Sequence, residues 1–246
     1  MADITWISES NDRGVRERRY DLMVDDHVVP SLIWTPEGST GPRPVVLIGH
    51  GGGNHKRVAY VLSLARRLVR HQGWAAVCID APGHGERADA TGVGISGLSP
   101  EDASERMRSA TSDWVATLDA VQAMDDVGDG PVGWWGLSMG TGLGVPFVAR
   151  EPRIQVAVFG LMALVGDPPE RFAELAGRIT VPILYLLQLE DELFTREGCL
   201  ALFDAFASTD KRLHANPGAH SAVPVEEIEA SEAFLARHLV PAGVSV

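Results

Sequence analysis

Cysteine is scarce: the chain has two in 246 residues, Cys78 and Cys199. Cys78 sits inside an apolar run and Cys199 in a predicted helix, so both read as reduced packing residues and no disulfide framework is expected. No C-x-x-C or H-E-x-x-H occurs, and the eight histidines show no metal-ligand spacing. His50 and His55 are five apart with glycines between them, which suits a loop better than a metal pair. No metal or organic cofactor is expected. Long apolar runs are also missing, and none approaches the roughly 20 residues needed to cross a bilayer. The opening stretch MADITWISESNDRG has neither a basic n-region nor an apolar h-region, so no secretory signal is expected. Together with reduced cysteines, this predicts a cytoplasmic protein. Positive charge is in deficit, with 21 Lys and Arg against 33 Asp and Glu and a net charge of −12. Such a surface repels polyanions, which argues against nucleic acid and anionic membrane as partners. Repeats, low-complexity tracts and dividing linkers are absent too, so a single domain over residues 1–246 is expected.

What is present is an ordinary soluble balance, 45% apolar and 22% charged residues. Short apolar runs recur at Pro44–Ile48, Ala75–Ile79, Val132–Trp135, Val156–Phe159, Ile183–Leu187 and Arg212–Ala215. Runs without alternation, bounded by Gly or Pro, suit strands buried on both faces of a parallel sheet. Arg19–Asp25 and Val28–Trp34 read as a hairpin making an antiparallel edge. Helices are predicted in the gaps: Lys56–His71 with Gly73 as its stop, Pro100 to Met124 capped by Ser99, Thr141–Arg150 with Pro146 inside, and Val225–Leu239. This alternation predicts an α/β fold, a doubly wound and mostly parallel sheet flanked by helices. Its ligand site belongs beyond the carboxyl ends of the strands.

The stretch GWWGLSMGTG, residues 133–142, places Gly136 and Gly140 two residues to either side of Ser138. With 26 glycines in the chain, a G-x-S-x-G match gains weight only from its context. Here a strand precedes it and a helix follows, as a nucleophile elbow requires. The nucleophile's backbone is forced into a sparsely allowed region, and a side chain at either glycine would meet the crossing strand and helix. Gly142 and Gly144 extend the small surface. A serine hydroxyl needs a base, and the base a partner that fixes its tautomer. In an elbow the order is Ser, acid, His. Of the histidines after Ser138, His214 lies in a predicted strand and His238 on the last helix, whereas His220 follows a strand in the turn-rich Asn216-Pro217-Gly218-Ala219. His220 is the candidate base. The end of Ile183–Leu187 offers Glu190, Asp191 and Glu192 as the acid. Oxyanion donors are expected at the Met139 amide and in His50-Gly51-Gly52-Gly53, Gly52 first and Gly53 second. That glycine loop lacks the Lys-Ser/Thr of a P-loop and the G-x-G-x-x-G of a dinucleotide site.

IGHGGG at 48–53, IDAPGHGER at 79–87, GLSMG at 136–140, LEDELF at 189–194 and NPGAH at 216–220 together resemble the α/β-hydrolase superfamily, nearest its compact dienelactone-hydrolase-like and serine esterase branch. Dienelactone hydrolases carry cysteine as nucleophile where this chain has Ser138, which argues for an ordinary serine esterase. The apolar step Leu193-Phe194 resembles the one that follows the acid in this fold and favours Asp191, with Glu190 in reserve. The resemblance also implies that His84 lines a loop near the site mouth, in a turn-packing role. The expected function is hydrolysis of a small to medium neutral carboxylic ester through an acyl-enzyme by Ser138, His220 and Asp191. Its partner would be the small-molecule ester. The alternatives are a thioesterase, amidase, carbon–carbon hydrolase or acyltransferase with the same residues, or a binding protein on the same scaffold. Segments 88–100 and 160–169 are short, so a small cap or none is expected. Trp135, Leu161, Met162 and Phe194 would make the pocket apolar.

Overall fold

The computed structural model describes residues 3–88, 100–164 and 169–239. Among the described residues, nine strands form one sheet: β1 (Asp3–Asp12), β2 (Val15–Val24), β3 (His27–Pro36), β4 (Val45–Gly49), β5 (Ala75–Ile79), β6 (Val132–Gly136), β7 (Ile154–Gly160), β8 (Ile183–Gln188) and β9 (Lys211–Asn216). Their order across the sheet is β1-β2-β3-β5-β4-β6-β7-β8-β9. The first three pair antiparallel and join β5 antiparallel, while β5 through β9 pair parallel. The described helices are α1 (Ala59–Arg67), α2 (Pro100–Gln122), α3 (Met139–Val148), α4 (Glu170–Ala176), α5 (Arg196–Ala205) and α6 (Glu226–His238).

The central strands are apolar at every position because both of their faces are covered. Along β4, Val45 and Leu47 enter one core layer while Val46 and Ile48 enter the other. That is the period of two expected of a pleated strand. The first layer lies under α2, α3, α4 and α5 and contains Trp114, Trp134, Phe147 and Phe159. The second lies under α1 and α6 and contains Trp34, Leu64, Trp135 and Leu235. Trp134 is fully buried, edge-on to Trp114 at 4.9 Å between ring centroids. Its truncation to Ala is expected to cost about 3–5 kcal/mol.

The predicted core strands and the antiparallel hairpin all form, each within a few residues of its expected bounds. Three differences have local reasons. β1 was not anticipated, because nearly every one of its residues is exposed and so no apolar alternation marks it. The helix expected over Lys56–His71 starts at Ala59 and widens into a π-helical turn at Leu68–Gln72, which ends at Gly73 with φ +69°. α4 also escaped the sequence reading: at seven residues, with only Phe172 and Ala176 buried, its periodic signal is short. The predicted cap Ser99, most of the first segment proposed to cover the site (residues 89–99 of 88–100) and part of the second (residues 165–168 of 160–169) lie outside the described residues.

Candidate active site

The turn between β6 and α3 is built by what its neighbours leave out. Ser138 adopts φ 57° and ψ −121°, a conformation L-residues rarely hold and one that costs about 1–3 kcal/mol. Its N–H donates to Gly160 O at 2.9 Å, and its own carbonyl accepts from Thr141 and Gly142. A Cβ on Gly140 would lie 2.3 Å from Gly49 O, and one on Gly136 would lie 2.7 Å from Gly140 O. Side chains at these positions therefore collide with backbone, which cannot move aside. Gly144 serves the same packing, since a Cβ there would meet the Trp134 ring at 2.3 Å. Thr141 Oγ1 lies 2.8 Å from Gly136 O and 2.7 Å from Gly160 O, and it accepts the Gly160 N–H at 2.9 Å. It ties the turn to β7.

His220 Nε2 lies 2.9 Å from Ser138 Oγ, although 82 residues separate them in sequence. On the other side of the ring, Nδ1 lies 2.8 Å from Asp191 Oδ2. A carboxylate only accepts, so Nδ1 carries the hydrogen and Nε2 is left as the acceptor facing the serine hydroxyl. The Asp191 side chain is 2% exposed, and its Oδ1 accepts the N–H groups of Leu193 at 2.8 Å and Phe194 at 3.0 Å. The apolar step after the acid thus helps to fix it. The Phe194 ring packs on the imidazole at 5.7 Å.

The flanking acids go elsewhere. Glu190 accepts the Gly218 N–H, and Glu192 accepts the His220 N–H at 2.8 Å. Neither touches the imidazole nitrogens among the described contacts. His214 pairs with Glu227 at 2.9 Å and His238 lies 3.6 Å from Asp210, so neither belongs to the serine's hydrogen-bond chain.

In the loop after β4, the Gly51 N–H is committed to the Tyr60 hydroxyl oxygen at 2.7 Å. Among the described residues the N–H groups of Gly52, Gly53 and Met139 have no protein acceptor. A Cβ on Gly52 would lie 4.0 Å from Met139 Cβ, whereas one on Gly53 would face open space. Gly52 is therefore the nearer partner of Met139. His50 anchors the loop: its Nδ1–H donates to Gly51 O at 2.9 Å and its Nε2 accepts the Ala81 N–H at 3.1 Å. Burial pushes the His50 imidazole down to about 4. Asp80, fully buried, accepts the Lys56 N–H at 2.8 Å and the Glu86 N–H at 2.9 Å and also pairs with the Lys56 ammonium. It binds the loop after β4 to the loop after β5. His84 is 6% exposed, with Nδ1 on Pro82 O at 3.1 Å, in the turn-packing role expected of it.

The apolar lining needs one correction. Trp135 does not face the site: its indole is 1% exposed, donates to Ser231 Oγ at 3.1 Å and packs in the layer under α1 and α6. Leu161 is 5% exposed in the same layer. Alternation along β6 sends Trp135 to the face opposite Trp134, and nothing in the identity of two adjacent tryptophans tells them apart. Next to the serine, Ala81, Ala110, Met139 and Leu143 form a small apolar cluster instead. Met162 lies over the first turn of α3, its methyl group 3.0 Å from where a Gly142 Cβ would be. A separate surface groove of about 740 Å³ is lined by Ser8, Glu17, Arg19, Lys56 and Glu86, among others. Ser138, Asp191 and His220 are not among its walls, and its charges are paired as Arg19–Glu86, Lys56–Asp80 and Arg57–Glu17.

Sequence reasoning missed Gln188, Tyr60 and Asp80, and it offered Glu192 only as a candidate acid, not as the acceptor of the His220 N–H. Gln188 had a signal, a lone amide closing the apolar run ILYLLQ. Among the described residues no cluster of three or more His, Cys, Asp or Glu side chains is gathered as metal ligands, and no helix is long and apolar enough to cross a membrane.

A model of the alpha/beta hydrolase family matches residues 21–242. The chain is similar to a cold-adapted esterase from an Arctic intertidal metagenomic library. In its PEG-bound complex that protein is 39% identical over 96% of this chain and 100% of its own, with a TM-score of 0.85. In a native structure from the same source the identity is 36%, over the same shares of the two chains, and the TM-score 0.80. The acetyl xylan esterase from Paenibacillus sp. R4 shares the fold at 19% identity, over 97% of this chain and 89% of that one, with a TM-score of 0.78. No curated protein matches the chain.

Proposed function

The chain belongs to the alpha/beta hydrolase family and is a carboxylic ester hydrolase, and from that premise we propose that it works as a serine esterase through an acyl-enzyme on Ser138. The observation that carries this reading is the unbroken chain Ser138 Oγ–His220–Asp191, with links of 2.9 and 2.8 Å, ending on a serine with φ 57°. His220 Nε2 takes the hydroxyl proton as Oγ attacks the ester carbonyl. Asp191 keeps the ring in the Nδ1–H tautomer and stabilises the imidazolium as it forms. The N–H groups of Met139 and Gly52 receive the developing oxyanion, and each such donor is worth about 3–4 kcal/mol to the transition state. Met139 also stands at the start of α3, where the helix dipole favours negative charge. His220 then gives its proton to the leaving alcohol and activates the water that releases the acid.

Met139, which follows Ser138, clusters with Ala81, Ala110 and Leu143 in an apolar patch, and neither Glu190 nor Glu192 reaches the imidazole nitrogens. Both facts support a small to medium neutral ester as substrate. A labelled fluorophosphonate and a panel of p-nitrophenyl esters of graded chain length, set against thioesters and anilides, test the reading. We expect stoichiometric labelling at Ser138 and turnover of short esters well ahead of anilides. Absence of label at Ser138 in protein that still turns over esters would place the nucleophile elsewhere.

A further inference from the structure

The turn that carries His220 has little backbone structure of its own. Residue 217 is a proline with no N–H to donate, Gly218 sits at φ +108°, and the hydrogen bond closing the turn is Ala222 N–H to Ala219 O at 2.9 Å. Alternate residues from the last position of β8 onward supply what the turn lacks. Gln188 is 1% exposed, and its Nε2 lies 3.3 Å from Pro217 O, 3.3 Å from Ala219 O and 3.0 Å from Ala222 O. Two residues on, Glu190 accepts the Gly218 N–H while its own N–H donates to Gly218 O at 3.2 Å. Two further, Glu192 accepts the N–H of His220 itself at 2.8 Å. Between the two glutamates, Asp191 takes the imidazole.

We propose that Gln188, Glu190 and Glu192 are positioning residues, gripping the backbone of residues 217–222 so that the imidazole stays at bonding distance from Ser138. This rests on the reading of Ser138 and His220 as nucleophile and base. The chemistry of the grip is complementary: an amide donor meets the turn's carbonyls, and two carboxylates meet its N–H groups in charge-assisted bonds. The His220 N–H holds the Glu192 carboxyl below the usual carboxylate range, so it is the ionised acceptor at neutral pH. Both glutamates are exposed, so each bond adds little to the stability of the fold. Placement is another matter, because a shift of about 1 Å in a catalytic group can cost of order a hundredfold in rate.

The test uses Glu190→Ala, Glu192→Ala, the double alanine variant and the two glutamine variants of the full chain, with Ser138→Ala beside them. The readouts are kcat and KM on p-nitrophenyl acetate, the rate of Ser138 phosphonylation by a fluorophosphonate, and Tm. Each alanine should lower kcat by about three- to tenfold, and the pair by about thirtyfold, with KM and Tm nearly unchanged and phosphonylation slowed in parallel. Glutamine keeps an oxygen acceptor, so those variants should stay within about threefold of wild type. The idea fails if the double variant keeps wild-type kcat, if its loss follows Tm rather than kcat, or if glutamine is as damaging as alanine. Ser138→Ala separates the two layers of the argument. If it retains more than a few per cent of activity, the nucleophile assignment falls. If it is inactive while the double alanine variant is unimpaired, only the positioning role falls. Gln188→Met extends the test to the buried donor, and because the glutamates are exposed, the outcome does not hang on whether that variant folds.

Discussion

The two turns that meet at the site are built in opposite ways. The serine turn is held by the absence of side chains: Gly136, Gly140 and Gly144 let backbone and the Trp134 ring approach to distances that no Cβ allows. The histidine turn is held by their presence, through Gln188, Glu190, Asp191 and Glu192. A joint made by steric exclusion is all-or-none, because any added atom must displace backbone. A joint made from several hydrogen bonds degrades by steps. Substitutions should therefore fall into two patterns, abrupt at Gly136, Gly140 and Gly144 and graded at Gln188, Glu190 and Glu192.

The largest effect is expected at the groups that would carry the chemistry. Ser138→Ala should lower kcat/KM by four orders of magnitude or more, to about the residual rate left by oxyanion stabilisation alone, with the fold intact because the glycines and not the hydroxyl shape the turn. Steady-state kinetics and a melting curve check both halves of that statement. Asp191→Asn should cost about 10⁴ in turnover by favouring the wrong tautomer of His220, whereas Glu190→Gln, which keeps an acceptor, loses far less. The reverse result would make Glu190 the triad acid.

Gly140→Val comes next and probes the steric joint directly. With Gly49 O 2.3 Å from the would-be Cβ, it should destabilise by about 3 kcal/mol or more and cut soluble yield along with activity. An unchanged Tm would dissolve the contrast between the turns.

The smallest effect concerns the loop after β4. His50 is 2% exposed and neutral in the fold, its value pushed from 6.5 down to about 4 by burial. Between those values the unfolded chain binds more protons than the folded one, so the His50 contribution is full above about pH 6.5 and is lost as pH falls towards 4. The loss amounts to about 3 kcal/mol over that window. Tm should accordingly fall more between pH 7 and pH 5 in wild type than in His50→Asn. Parallel declines would remove His50 as the cause.

The sequence made one turn far more legible than the other. Gly136, Ser138 and Gly140 could be read because steric exclusion leaves glycines at fixed offsets, and strands such as β5 could be read because burial on both faces removes every polar residue. Chain order and a turn-rich setting single out His220 as the candidate base, and the structure sets it 2.9 Å from Ser138 Oγ. Among Glu190, Asp191 and Glu192 the residues themselves could not choose, since adjacent acids on a loop have no period to sort them. The grip of Gln188 and the two glutamates was invisible because its partners are backbone groups, which leave no mark on residue identity. β1 was missed for a related reason: its cohesion is backbone pairing with β2, and its side chains face water.

Asp80 has a consequence for motion. The loop His50–Gly53 cannot swing away from β5 while Lys56 and Glu86 share one carboxylate that has no exposure to solvent. Breaking such a buried pair costs about 3–5 kcal/mol, so open forms of the loop make up less than about one per cent of the ensemble. On the proposed mechanism, a substrate arriving at Ser138 would meet the amides of this loop already in place. Little of its binding free energy is then drawn off in arranging them, and what remains is available at the transition state.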